Sequence, residues 1–213
     1  MRLILIGPPG SGKGTQGRLL AAHFGNKHIA TGELIRDEIA HHTKFGQEIE
    51  ATIAKGNLLD DEAALHLLTE RVDILQKGYI LDGFPRTVHQ AQLLLGIDKL
   101  GPLTAAIYYD LSDSAAVERL SGRLTCPLCE RSYHERTELP ATPGICDDDG
   151  TALVRRPEDT AEAIVTRLTL FHQQTQPLLS FFEERGLLVK VNASTDPPAI
   201  FESTVALLSE KTL

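Results

Sequence analysis

The chain has 213 residues, 42% hydrophobic and 23% charged, which is enough to bury a core without disulfide staples. No run approaches the ~18 apolar residues of a membrane span. The net charge of −8, from 21 Lys+Arg against 29 Asp+Glu, gives no broad positive field for nucleic acid or anionic lipid.

Arg2 to Ile6 is a short apolar run ending at Gly7, too short for a secretory signal and suited to a buried strand. After the turn Gly7-Pro8-Pro9-Gly10, residues 14–24 carry Leu19, Leu20 and Phe24 at helical spacing. Thr31 or Gly32 is expected to cap a helix to about His42, and a second helix spans 45–55 and stops at Gly56. Asp60-Asp61-Glu62 opens a helix over 63–76, and Gly78 ends it. Tyr79 to Asp82 is a second strand, 88–95 a helix, and Ala105 to Asp110 a third strand too apolar to be half exposed. Ser112 or Asp113 caps a helix to about Arg123. Residues 124–157 then break the pattern with Cys, Pro, Gly and Asp. Asp159-Thr160-Ala161-Glu162 resembles a capping box before a long helix to about Arg185, bent at Pro177. A last strand covers 187–191 and a last helix 198–210. Strands alternating with helices predict a parallel sheet covered on both faces, with insertions at 30–59 and 122–159 placed as lids. His23, His28, His41, His42, His66, His89 and His172 form no ligand-like group and are expected on the surface or on helix faces.

Gly7-Pro8-Pro9-Gly10-Ser11-Gly12-Lys13 has P-loop spacing between an expected strand and an expected helix. Glycines let backbone N–H groups close on phosphate oxygens, the helix start adds partial positive charge, and lysine reaches the outer phosphates. Position 14 is glycine and the hydroxyl arrives at Thr15; Gly-Lys-Gly-Thr is similar to the form found in nucleoside monophosphate kinases. Asp82-Gly83-Phe84-Pro85-Arg86 follows a strand end, where an Asp can orient magnesium through water and a guanidinium can clamp phosphate.

With Thr31 to Arg36, Gly56 to Leu59, Gln90, Arg119, Arg123, Arg156 and Arg167, these motifs make the chain resemble the adenylate kinases of the long-lid type over essentially its whole length. The resemblance implies a P-loop NTPase-type α/β fold with three parts. They are a core of 1–29, 60–121 and 160–213, a helical AMP-binding insertion at 30–59 and a metal-binding lid at 122–159. It implies the reaction MgATP + AMP = 2 ADP, serving adenine nucleotide homeostasis. Gly10, Ser11, Gly12, Lys13, Gly14, Thr15, Arg119 and Arg123 would hold ATP, with Ser132, Tyr133 and Thr195 near its adenine. Thr31, Arg36, Leu58, Leu59, Gly83, Arg86 and Gln90 would hold AMP, with Arg156 and Arg167 at its phosphate. Lys13, Arg86, Arg123, Arg156 and Arg167 would carry catalysis, and Asp82 and Thr15 would orient Mg²⁺. The chain departs from the family pattern at Pro157-Glu158-Asp159, where two aspartates are common, and at Val165, where a basic residue is frequent. It also lacks the usual glycine in Asn192-Ala193-Ser194-Thr195.

Three cysteines, two in Cys126-Pro127-Leu128-Cys129, do not suit a disulfide framework and point to a cytoplasmic protein with a metal site. Cys126-x2-Cys129-x16-Cys146-x2-Asp149 presents two knuckles of equal pitch for a tetrahedral ion. Thiolates favour Zn²⁺, with iron or cobalt as alternatives. Asp149 is the preferred fourth ligand over Asp147, Asp148 and His134, because Tyr133-His134 belongs to the family pattern even in lids without metal. Four protein ligands make the role structural.

Two rival functions remain: a kinase for another monophosphate or with GTP as donor, and a zinc-ribbon binding module on an inactive P-loop domain. A GTPase is disfavoured because no Asn-Lys-x-Asp is present. The expected ligands are ATP, AMP and ADP, with no nucleic acid and no membrane, and the chain is expected to be a monomer.

Overall fold

The computed structural model describes residues 1–57, 59–69 and 77–211, without the side chains of 66, 68 and 69. Leu58, the His66 side chain and the second half of the helix expected over 63–76 lie outside the described residues. Five parallel strands form one sheet in the order β2-β3-β1-β4-β7: β1 Arg2–Ile6, β2 Lys27–Ala30, β3 Tyr79–Asp82, β4 Ala105–Asp110 and β7 Leu188–Asn192.

β1 lies at the centre of this sheet, and its side chains alternate between two cores. Leu3 and Leu5 join Leu20, Leu120, Ile200 and Leu208, while Ile4 and Ile6 join Phe84, Leu94, Phe171 and Phe182. Burial on both faces explains why β1 and β4 read as continuous apolar runs. Removing each Leu or Ile side chain from water contributes roughly 1.5–3 kcal/mol, so the centre of the sheet is a rigid floor.

The helices are α1 Lys13–Phe24, α2 Thr31–Ala40, α3 Lys44–Ala54, α4 Asp61–Thr69, α5 Val88–Leu95, α6 Asp113–Ser121, α7 Ala161–Leu170, α8 Pro177–Glu183 and α9 Pro197–Lys211. None of the helices among the described residues is long and apolar enough to cross a membrane. α2, α3 and α4 share a small core of Ile35, Ile49 and Leu67. Residues 123–154 carry an antiparallel pair, β5 Arg123–Thr125 and β6 Ser132–His134, with a core of only Cys126, Tyr133 and Cys146.

Several local expectations are corrected. β2 was not anticipated: Lys-His-Ile-Ala is short and half polar because it is an edge strand. Thr31 is the first residue of α2 rather than its cap, and its hydroxyl donates to the Asp82 carbonyl at 3.3 Å. The helix expected to reach Arg123 ends at Ser121, and Ser112 caps it by accepting from Ala115 N–H. Thr160, not Asp159, caps α7. The long helix to 185 is interrupted by a π-turn, Phe171–Thr175, just before Pro177. His28 is buried rather than superficial, with its Nε2 3.9 Å from Asp82 Oδ2.

The registers Ala30↔Asp82 and Leu5↔Asp82 bring the C-terminal ends of β1, β2 and β3 level. The loop after β1, the start of α2 and the Asp82-Gly83 turn therefore open on the same edge. That is where open α/β sheets bind ligands.

Candidate functional site

A cleft of about 810 Å³ lies over that edge. Gly10, Gly12, Lys13, Gly14, Thr15, Thr31, Arg36, Leu59, Asp82, Gly83, Arg86 and Gln90 line it, as do Arg119, Arg123, Ser132, Tyr133, Arg156, Arg167 and Thr195. Of the nucleotide-site residues named from sequence, Leu58 lies outside the described residues and Ser11 is buried beneath the loop. Leu59, Gln90 and the arginines come from elements far apart in sequence, and the cleft is where they meet.

The loop has the conformation that its glycines permit. Gly12 holds the left-handed φ of 85° at the start of α1, with no side-chain cap, so the first helical N–H groups are free to meet an anion. Lys13 Nζ donates to Gly7 O at 2.8 Å, Pro8 O at 2.9 Å and Ser11 Oγ at 3.2 Å, which occupies all three of its protons. Burial pushes this ammonium down to about 8. Asp82 opposes that shift, and Arg86, Arg167 and Arg123 reinforce it. A β-carbon at Gly14 would stand 3.6 Å from Asp82 Oδ2, so this carboxylate overlooks the first turn of α1, which carries Thr15. Gly83 also has to be glycine: at φ 82° a β-carbon there would lie 2.5 Å from Thr31 Oγ1 and 3.2 Å from Arg86 Nη2.

Positive charge is concentrated here, and carboxylates or carbonyls hold it. Arg86 is enclosed, with Nε donating to Gly83 O at 2.8 Å; burial lowers its pKa and Asp82 resists. Asp159, almost wholly buried, accepts Arg123 Nε and Nη2 at 2.8 and 2.6 Å and Arg167 Nη1 at 3.1 Å. Arg156 and Arg167 are each lowered to about 10, first by burial and then by Arg123. Arg119 Nη2 donates to Thr195 O at 3.5 Å, joining two residues that the resemblance places on the same nucleotide.

Sequence reasoning missed three residues. Asp159 reads in the sequence as a cap, because an Asp before a helix ordinarily is one. His28 had no neighbouring motif. Glu130, between the lid knuckle and β6, has a left-handed φ of 60° and reaches across to α2. It accepts Arg36 Nε at 3.0 Å, Arg36 Nη2 at 2.7 Å and Arg156 Nη2 at 2.7 Å, and its carbonyl accepts Arg18 Nη2 at 3.2 Å. No sequence signal was available for it: its one neighbouring arginine, Arg131, pairs instead with Asp147 and Asp148.

The lid cysteines do come together with Asp149. Ligand atoms of Cys126, Cys129, Cys146 and Asp149 all lie within 4.8 Å of one another, with Cys129 Sγ to Cys146 Sγ at 3.5 Å and Cys126 Sγ to Asp149 Oδ2 at 3.2 Å. A tetrahedral ion with ~2.3 Å bonds to sulfur separates its thiolates by about 3.8 Å, so the set fits one. Leu128 and Cys129 N–H groups point at Cys126 Sγ at 3.4 Å each, and Thr151 N–H holds Asp149 Oδ1 at 2.9 Å. His134 is occupied elsewhere, its Nδ1 accepting Arg136 and Thr137 N–H and its Nε2 donating to Glu118 O. Tyr133 presents its hydroxyl to Cys146 Sγ and accepts Asp147 N–H, and Arg131 stacks 4.9 Å above its ring.

A glycine loop and its lysine at the head of a parallel sheet, under converging arginines, define a P-loop nucleotide-binding phosphotransferase. The family model described as adenylate kinase matches residues 5–187. The chain is 40% identical over 212 residues to the adenylate kinase of Bacillus velezensis and 40% identical over 212 residues to that of Bacillus subtilis, with 98% of both chains covered in each case. It is 38% identical over 217 residues to the adenylate kinase of Methanothrix thermoacetophila, with 99% of both covered. The chain belongs to the adenylate kinase family.

Proposed function

We propose that this chain transfers a phosphoryl group reversibly from ATP to AMP, giving two ADP, and so serves adenine nucleotide homeostasis. The observation that carries this reading is convergence. Lys13 and Arg36, Arg86, Arg119, Arg123, Arg156 and Arg167, borne by separate elements, all line one cleft. Phosphoryl transfer asks little covalent chemistry of the protein; it needs in-line positioning and cancellation of charge on the phosphoryl oxygens.

Gly10, Gly12, Lys13, Gly14 and Thr15 with Arg119 hold the ATP phosphates, and Ser132, Tyr133 and Thr195 lie towards its base. Thr31, Arg36, Leu59, Gly83, Arg86 and Gln90 hold AMP, while Arg123, Arg156 and Arg167 meet the phosphate being transferred. Asp82 and Thr15 would hold the Mg²⁺ that accompanies ATP, where the ion cancels phosphate charge. Residues 30–59 and 122–159 act as two lids over the core, excluding water that would otherwise hydrolyse ATP. The protein works as a cytoplasmic monomer. A coupled assay with MgATP against AMP, GMP, CMP and UMP is expected to favour AMP, and Lys13→Ala to lose most of that activity. Preference for another base, or full activity in Lys13→Ala, would contradict the assignment.

Cys126, Cys129, Cys146 and Asp149 hold a structural ion, Zn²⁺ by the chemistry of three thiolates, because the lid has too few apolar residues to cohere alone. Calorimetry after chelation is expected to show the lid melting ahead of the core, with activity reduced. Unchanged melting and activity in metal-free protein would rule out this role.

Glu130 pairs with both Arg36 and Arg156, the arginines assigned above to phosphate, and so competes with AMP for them. Glu130→Gln keeps the size and removes the charge. Initial-rate kinetics are expected to give a KM for AMP lower by about 2- to 5-fold, the weight of a partly exposed ion pair. An unchanged or higher KM would mean that Glu130 does not compete with substrate.

A further inference from the structure

Gln90 meets the cleft with its amide already half engaged. Its Oε1 accepts the backbone N–H of Arg86 at 2.7 Å, and its Nε2 donates to Asp61 Oδ1 at 2.7 Å. An amide has two carbonyl lone pairs and two N–H protons, so one acceptor site and one donor site remain. The two anchors are polar in one sense only: a backbone N–H cannot accept, and an ionised carboxylate cannot donate. Together they decide which end of the amide is oxygen and which is nitrogen.

Asp61 is itself held in place. It lies at the start of α4, behind Gln90, and does not line the cleft. Its Oδ1 also accepts Thr87 Oγ1 at 3.3 Å, its Oδ2 meets His89 Nδ1 at 2.7 Å, and the same Thr87 hydroxyl accepts Gln90 N–H at 3.1 Å. Partial burial alone would raise the Asp61 pKa, but the hydrogen bonds from His89, Gln90 and Thr87 outweigh it and hold the carboxyl below the usual range.

The order of donor and acceptor separates purines. Adenine offers an acceptor at N1 beside a donor at N6, whereas a 6-oxopurine offers a donor at N1 beside an acceptor at O6. An amide fixed in one orientation fits the first pattern; turned over, it fits the second. We propose that Asp61 is a specificity-determining positioning residue, which fixes the orientation of the Gln90 amide so that the monophosphate site accepts adenine and rejects 6-oxopurines. This rests on the reading above that Gln90 faces the AMP base.

The test compares AMP with IMP, which lacks the 2-amino group of GMP and so isolates the 6-position. Wild type, Asp61→Asn and Gln90→Leu are assayed for kcat/KM with MgATP and for Kd by calorimetry. Asn keeps the volume of Asp61 and a hydrogen bond, but it can donate or accept, so it no longer dictates the amide. The AMP-to-IMP ratio is expected to fall roughly tenfold in Asp61→Asn, on the scale of one charge-assisted hydrogen bond, with a raised KM for AMP and unchanged thermal midpoint. Gln90→Leu is expected to lower the same ratio. If Gln90→Leu lowers the ratio and Asp61→Asn leaves it at the wild-type value, the role of Asp61 is overturned while Gln90 still reads the base. If Gln90→Leu leaves the ratio unchanged, the reading of the base itself falls and takes the inference with it.

Discussion

Gathering like positive charges in a low-dielectric cleft is the constraint around which the molecule is organised. Lys13, Arg86, Arg123 and Arg167 are close enough for the arginines to depress the lysine, and burial pushes Lys13, Arg86 and Arg167 down. Such a site is costly when empty, because each desolvated cation needs a partner. The fold supplies partners of two kinds. Asp82 ends β3 and Asp159 stands just before α7, while Glu130 reaches in from the turn before β6. Carbonyls of the loop and of Gly83 complete the set. The repulsion is thus contained, and a nucleotide phosphate entering the cleft meets charge that is already assembled.

The rest of the architecture follows from where those cations originate. Arg36 is on α2, Arg86 follows β3, Arg123 opens β5, Arg156 precedes the turn into α7 and Arg167 lies on α7. They converge only if the insertions fold over the C-terminal edge of the sheet, which the rigid apolar floor of β1 and β4 fixes. The lid cannot meet that demand by hydrophobic burial, since its core is two cysteines and a tyrosine. The same segment brings the donor atoms of Cys126, Cys129, Cys146 and Asp149 within 4.8 Å of one another. Asp159, at the lid's return to the core, couples Arg123 at one end of the lid to Arg167 on α7.

What could be read from the sequence depended on how local the physics was. β1, β3 and β4 are buried on both faces and leave unbroken apolar runs; the phosphate loop and the two cysteine knuckles are short motifs whose spacing carries their geometry. β2 left no such trace, because an edge strand of Lys-His-Ile-Ala owes its form to pairing with β3. The arginines were legible through resemblance, but their carboxylate partners were not. Asp159 and Glu130, and Asp61 behind Gln90, act across separations of 8 to 94 residues, and an acidic residue near a helix start, as Asp159 and Asp61 are, reads as a cap. His28 escaped for the same reason: its burial against Asp82 comes from the register of β2 on β3.

The cleft holds positive charge placed for phosphate, and Lys13 reports on it most directly. Burial and the arginines push its ammonium down to about 8. A phosphate beside it favours the charged form and raises its pKa. Above pH 8 nucleotide binding must then take up a proton, and affinity must fall as pH rises. The ¹⁵N titration of Lys13 Nζ, with and without a bound nucleotide, tests this. A titration near 8 that moves upward on binding is the predicted result; one that stays in place or moves downward would contradict the account.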